Sequence, residues 1–139
     1  MAEKKSKQKT IHAVGKRKRA IARATLSNGT GIININSTPL EMIKPRYVKM
    51  RIEEGLMLIG DIIKKVNIDV NVKGGGVFGQ ADAARTAIYK ALVKFDGKLK
   101  DMFLDYDRSL LVSDPRRTEP HKSSRSSAGP RRKKQQSKR

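Results

Sequence analysis

From Lys16 to Leu26 (KRKRAIARATL) apolar and polar residues alternate along the chain. Ala20, Ala22, Ala24 and Leu26 fall on one face, and Arg17, Arg19, Ile21, Arg23 and Thr25 on the other. That period predicts one half-buried strand with its arginines outward. Ser27–Gly31 contains Asn-Gly, which accepts positive φ cheaply, so Gly31–Asn36 reads as the returning strand of a hairpin. Thr38-Pro39-Leu40-Glu41 has the residues of a helix start, with Thr38 as cap, Pro39 at the first position and Glu41 closing a capping box. Between Arg46 and Val66, Val48, Ile52, Leu56, Ile59, Ile62 and Val66 recur at helical spacing, and Gly55 and Gly60 divide the segment into two shorter helices. Asn67–Lys73 alternates again, with Ile68, Val70 and Val72 toward the core. After a glycine run, Ala83, Ala84, Ala87, Ile88, Ala91, Leu92 and Phe95 form the clearest helical stripe in the chain. A short helix at Leu99–Leu104 and a short strand at Leu110–Val112 complete the body.

Charge changes this picture from a plain α+β domain to a domain with a partner. The 139 residues carry 32 Lys and Arg against 13 Asp and Glu, a net charge of +19. Residues 1–23 hold +8 and residues 114–139 another +8, while the middle holds only +3. Such an excess opposes compaction and calls for a polyanion. From Asp114 onward Ala128 is the one hydrophobic residue, and Pro115, Pro120 and Pro130 interrupt any helix. A segment like that is expected to order only on a partner. Residues 1–10 therefore read as a basic extension, 11–113 as the globular body and 114–139 as a basic arm. The chain has no cysteine, and neither a secretory leader nor a membrane-spanning run is expected.

The stretch Val72–Ala81 (VKGGGVFGQA) contains G-x-G-x-x-G after a predicted strand and before a helix. It lacks the Lys-Ser/Thr pair of a phosphate-binding P-loop, because Gln80 and Ala81 follow Gly79. The acid at dinucleotide spacing, Asp96, falls at a helix end rather than a strand end. A nucleotide-using phosphotransferase is thereby disfavoured. Two readings remain open: the glycines let a nucleic-acid phosphate approach a helix N-terminus, or they make a tight turn with close packing.

Other chemistry is sparse. His12 and His121 have no ligand partners at metal spacing and read as solvated or RNA-facing, so neither a metal nor another cofactor is expected. Asp105 and Asp107 read as exposed charges after a helix rather than a catalytic pair. Arg85 and Tyr89, four residues apart, read as a solvated helix edge. Tyr47, Tyr89 and Tyr106 are too scattered to predict a stacking platform. The basic runs fit charge-based contacts to backbone phosphates, with arginine adding bidentate geometry. A non-specific DNA-compacting protein shares that composition.

Three stretches in order, AVGKRKRAIARATLSNGTGIININ, VKGGGVFGQADAARTAIYKAL and RRKKQQSKR, resemble the universal small-subunit ribosomal protein S-nine family. The wording SDPRRTEPHK is similar to its archaeal and eukaryotic branch, and archaeal type is favoured. The resemblance implies an α+β fold: a two-layer α/β sandwich with a mostly antiparallel four-stranded sheet and helices on one face, like the second domain of ribosomal protein S-five. It implies a non-enzymatic structural protein of the cytoplasmic small ribosomal subunit, with no small-molecule substrate and no membrane partner. Its expected partners are ribosomal RNA of the head (the 3′ major domain), neighbouring head proteins, and peptidyl-site tRNA reached by the C-terminal arm. Carried onto this sequence, rRNA contact falls on Lys16, Arg17, Lys18, Arg19 and Arg23 and on Gly74, Gly75 and Gly76. In the arm it falls on Arg116, Arg117, Lys122, Arg125, Arg131, Arg132, Lys133 and Lys134. Contact with tRNA falls on Ser137, Lys138 and Arg139. Gln136 stands where many relatives place an aromatic, and Ser123–Gly129 replaces a glycine-rich stretch.

Overall fold

The computed structural model describes residues 10–118 and residue 120. Its first strand, β1 (Ile11–Arg17), buries Ala13 and Gly15; the second, β2 (Ala20–Asn28), buries Ala20, Ala22, Ala24 and Leu26. The two pair antiparallel with Arg17 opposite Ala20, so Lys18 and Arg19 form a two-residue turn. Lys18 adopts φ 53°, a region that few residues other than glycine occupy. The single strand expected over Lys16–Leu26 is therefore two. Arg17 lies on the same face as Ala20, not outward with Arg23.

The expected hairpin between β2 and Gly31–Asn36 does not form either. The short strand β3 (Ile33–Ile35) lies beyond the strand contributed by Val66–Lys73 and runs parallel to it. The connection at Gly29–Ile32 passes over the end of that strand, where Asn67 Oδ1 accepts the N–H groups of Thr30, Gly31 and Ile32 at 2.8, 3.1 and 3.1 Å. One side chain thus satisfies three backbone donors and holds the chain across the sheet rather than back along β2. The tight reversal comes later, at Asn36 and Ser37, both at positive φ, which bring β4 (Thr38–Pro39) back against β3. Thr38 and Pro39 are spent in this bridge, and Leu40–Met42 is a 3₁₀ turn without a side-chain cap, so the expected capping box is absent.

Helix α1 (Arg46–Leu56) starts after Pro45. It ends one residue after Gly55, so the segment divides into two helical pieces as expected. A Cβ on Gly55 would lie 2.7 Å from Tyr89 Cζ and 2.8 Å from its oxygen, so the glycine makes room for the tyrosine. After a turn at 57–59, Gly60, at φ 59°, opens the second piece, a 3₁₀ segment at Gly60–Lys65. Strand β5 (Val66–Lys73) buries Val66, Ile68, Val70 and Val72 as its alternation predicts. Helix α2 (Val77–Phe95) and α3 (Leu99–Tyr106) follow. Leu110–Val112 is not a strand: Arg108–Leu110 is a 3₁₀ turn, begun by Asp107, whose side chain accepts the Ser109 N–H at 2.7 Å.

The result is a five-stranded, mostly antiparallel sheet in the order β1-β2-β5-β3-β4, with the helices on one face. The fifth strand is the two-residue β4; otherwise the α+β sandwich is as expected. Helix α2 lies chiefly against β1 and β2, and both surfaces are built of small residues: Ala13, Gly15, Ala20, Ala22 and Ala24 below, Ala83, Ala84, Ala87 and Ala91 above. Gly15 marks the closest approach, since a Cβ there would meet Ala83 O at 2.1 Å. The free edge of β1 faces lysines of α2. Lys94 Nζ donates to the His12 carbonyl at 2.7 Å, and Lys90 Nζ to Val14 O at 3.5 Å and Ser113 Oγ at 3.2 Å. Partial burial, then the neighbouring Lys94 charge, lowers the Lys90 pKa. The other edge is β4, and its Pro39 carries no N–H.

Candidate nucleic-acid interface

Strand directions collect the basic residues at one end of the sheet. β1 and β5 end where β2 begins, so the Lys18-Arg19 turn and the Gly74–Gly76 loop are neighbours. A Cβ on Gly74 would lie 2.7 Å from Arg19 O, and one on Gly75 would lie 2.9 Å from Ala20 N. Both residues have positive φ, at 77° and 69°. Packing against the basic turn therefore accounts for Gly74 and Gly75. All three glycines are exposed, and only Gly76 would leave an added Cβ in open space.

The two main helices begin at this same end and run side by side. Tyr47 meets Phe78, Arg51 Nε donates to Asp82 Oδ1 at 3.1 Å, Arg85 Nη2 donates to Glu54 Oε2 at 3.0 Å, and the Gly55 N–H donates to Tyr89 Oη at 2.9 Å. These pairs climb α1 and α2 in step, so the helices are parallel. Neither has a side-chain cap or an acid in its first turn. Their leading N–H groups add positive potential to an end that already carries Lys16, Lys18, Arg19, Lys44, Arg46 and Lys73, all exposed. Lys44, Arg46 and Lys73 lie outside the runs that sequence reading singles out; only the topology brings them to Lys16–Arg19.

Arg17 is half-buried between two carboxylates, 3.6 Å from Asp82 Oδ2 and 2.5 Å from Asp114 Oδ2. The close Nη1 contact is an ion pair off the N–H direction, and that nitrogen makes no hydrogen bond. Asp114 also accepts from Arg116, at 2.9 Å from its backbone N and 2.7 Å from Nη2. Hydrogen bonds from Arg116, then the charges of Arg116 and Arg17, hold the Asp114 carboxyl well below the usual range. The root of the C-terminal arm is thereby tied to the basic turn. Arg51, whose pKa is raised by its hydrogen bond to Asp82, extends the same chain of charges to α1.

Arg85 and Tyr89 are not a solvated edge. Arg85 is 3% exposed and joins Glu54 of α1 to Asp107 at 3.3 Å, while its Nε has no partner. Tyr89 is fully buried, and its hydroxyl donates to Ile52 O at 2.5 Å; burial first of all pushes its pKa up. Asp107 is likewise not a free surface charge. Desolvation raises its pKa, but the Ser109 hydrogen bonds and Arg85 outweigh it and leave the pKa lowered. Asp105 is exposed. These groups lock α1, α2 and the segment after α3 together and present no substrate-facing acid–base pair.

The sheet face away from the helices is uncovered among the described residues. Cross-strand neighbours there include Lys16–Ile21–Lys73 and Val14–Arg23–Asn71, so cations gather toward the basic end while Asp69 lies farther along. His12 is exposed beside Thr25, its Nδ1 3.2 Å from the hydroxyl. Arg116 and Arg117 are exposed. Lys122, Arg125, Arg131, Arg132, Lys133, Lys134, Ser137, Lys138, Arg139 and His121 lie outside the described residues. Among the described residues there is no cluster of three or more metal-ligating side chains, and no helix is long and apolar enough to cross a membrane.

The model of the family described as ribosomal protein S9/S16 matches residues 15–139. The chain belongs to that family. Among its relatives, the small ribosomal subunit protein uS9 of Methanococcus vannielii is 57% identical over 131 residues, 93% of this chain and 98% of the relative. The uS9 of Methanococcus maripaludis strain C7 is 56% identical over the same shares. These relatives are archaeal, in keeping with the Asp114-Pro115-Arg116 branch reading. The protein is a structural component of the small ribosomal subunit and not an enzyme.

Proposed function

We propose that the protein docks on small-subunit ribosomal RNA of the head through its basic end, and that its C-terminal arm continues from there to peptidyl-site tRNA. The observation that carries this reading is the Arg17–Asp114 ion pair, which starts the arm beside Lys16, Lys18 and Arg19. Body and root of the arm then face the same polyanionic surface. Lys16, Lys18, Arg19, Arg23, Gly74, Gly75, Gly76, Arg116 and Arg117 are the body-side contacts, and Arg17, paired with Asp82 and Asp114, holds the turn and the arm's root in place. Their contacts are to phosphates and set position rather than sequence.

The test is competition binding at near-physiological salt, with labelled 3′-major-domain rRNA against excess duplex DNA and non-cognate RNA. The rRNA complex is expected to survive both. Equal competition by all three would mean that charge alone binds, as in a DNA-compacting protein. The arm has its own test. Removing Lys138 and Arg139 is expected to weaken peptidyl-site tRNA binding to assembled subunits by about tenfold or more, the loss of at least one charged hydrogen bond. Unchanged tRNA affinity would remove the arm tip from the decoding path and leave the docking of the body untouched.

A further inference from the structure

We propose that Tyr47 and Phe78 form a stacking platform for an unpaired base of the RNA that this end of the protein binds. The proposal rests on the docking reading above and deepens it. The two rings meet edge to face, with centroids 5.1 Å apart and an interplanar angle of 73°. They hold each other in place, yet Phe78 is 64% exposed and Tyr47 49% exposed. Met50, one turn after Tyr47, and Val77, next to Phe78 in the chain, are also exposed. The platform stands on two parallel helices whose next turns are tied by Arg51–Asp82 and Glu54–Arg85, so its geometry is fixed before any ligand arrives.

The charge around the rings decides the occupant. Lys44 and Arg46 flank Tyr47 as exposed cations, while Lys49 pairs with Glu53 and Arg51 with Asp82, and the stretch Val72–Ala81 around Phe78 holds Lys73 and no acid. Asp82, four residues after Phe78, is already paired with Arg51 and Arg17. An unpaired nucleotide supplies both things this surface is complementary to, a flat apolar face and a phosphate. A base inside a duplex offers no free face, so the ligand is a loop, bulge or single strand. Tyrosine spacing alone predicts no platform; Phe78, 31 positions from Tyr47, completes one only because α1 and α2 begin together.

The experiment uses the full chain, its Phe78→Leu and Tyr47→Leu variants, and a 3′-major-domain rRNA transcript. Dissociation constants are measured across salt, with ultraviolet crosslinking and peptide mapping. Each substitution is expected to weaken binding roughly 5- to 150-fold, the range for loss of one stacked base. The log–log salt slope should not change, because no cation is removed. The wild type should crosslink a base to Phe78 or Tyr47. Unaltered affinity without a crosslink there overturns the platform while wild-type rRNA binding keeps the docking reading. So does an equal loss on a plain RNA duplex, or normal RNA affinity combined with failure to assemble beside other ribosomal proteins, which would assign the rings to a protein neighbour. A wild type that cannot tell rRNA from duplex DNA sinks the docking reading itself.

Discussion

Replacing Gly15 with alanine is expected to destabilise the domain by about 3 kcal/mol and to lower its melting temperature by about 10 °C or more. The added methyl would lie 2.1 Å from Ala83 O and 2.6 Å from Ala87 N. Both are backbone atoms of α2, so no rotamer change relieves the clash. Either β1 moves away from the helix or α2 rises off the sheet. A rising helix opens contacts along the whole alanine seam with β1 and β2, where each side contributes only small side chains and attraction depends on short distance. Thermal unfolding of the full chain, followed by far-ultraviolet circular dichroism, checks this. A shift under about 2 °C would mean that the layers have slack the packing does not show.

Neutralising Lys16, Lys18 and Arg19 together as glutamines is expected to weaken rRNA binding about 100-fold or more near physiological salt. The log–log salt slope should become shallower by about two to three units, roughly one per lost phosphate contact. The three side chains are exposed, so stability should hardly move. Arg17 is left in place because it joins Asp82 and Asp114; removing it would loosen the arm's root and confuse the reading. An unchanged slope with weakened binding would show that these residues contact something other than phosphate.

Where local pattern and tertiary environment agreed, the elements could be read directly. Strand β5 has one buried face and keeps strict alternation, and α2 shows its stripe because one side lies on the sheet. The β1–β2 turn was missed because Lys18 and Arg19 carry no turn signal. A signal was present nonetheless: buried small residues fall on odd positions up to Gly15 and on even positions from Ala20, and a single strand cannot change phase. The place of β3 was not legible, since what moves it past β5 is Asn67, more than thirty positions away. The division around Gly55 and Gly60 was legible from propensity, but that Gly55 also makes room for the Tyr89 hydroxyl was not. Arg85 looked solvated because its carboxylate partners come from α1 and from the segment after α3. The basic runs of the interface could be read as strings; their union with Lys44, Arg46 and the aromatic pair belongs to topology.

The two borders of the sheet bear on the protein's life before assembly. A ribosomal protein is made as a free chain and waits for its RNA, and an open strand edge would invite a second copy to pair with it. On β1, ammonium groups of Lys94 and Lys90 occupy outward carbonyls that an incoming strand would need. On the far side, two residues ending in a proline give such a strand almost nothing to register against. Binding is thus left to surfaces that recognise a polyanion, while backbone pairing with a second copy is blocked by lysines at one border and by a short, proline-ended strand at the other.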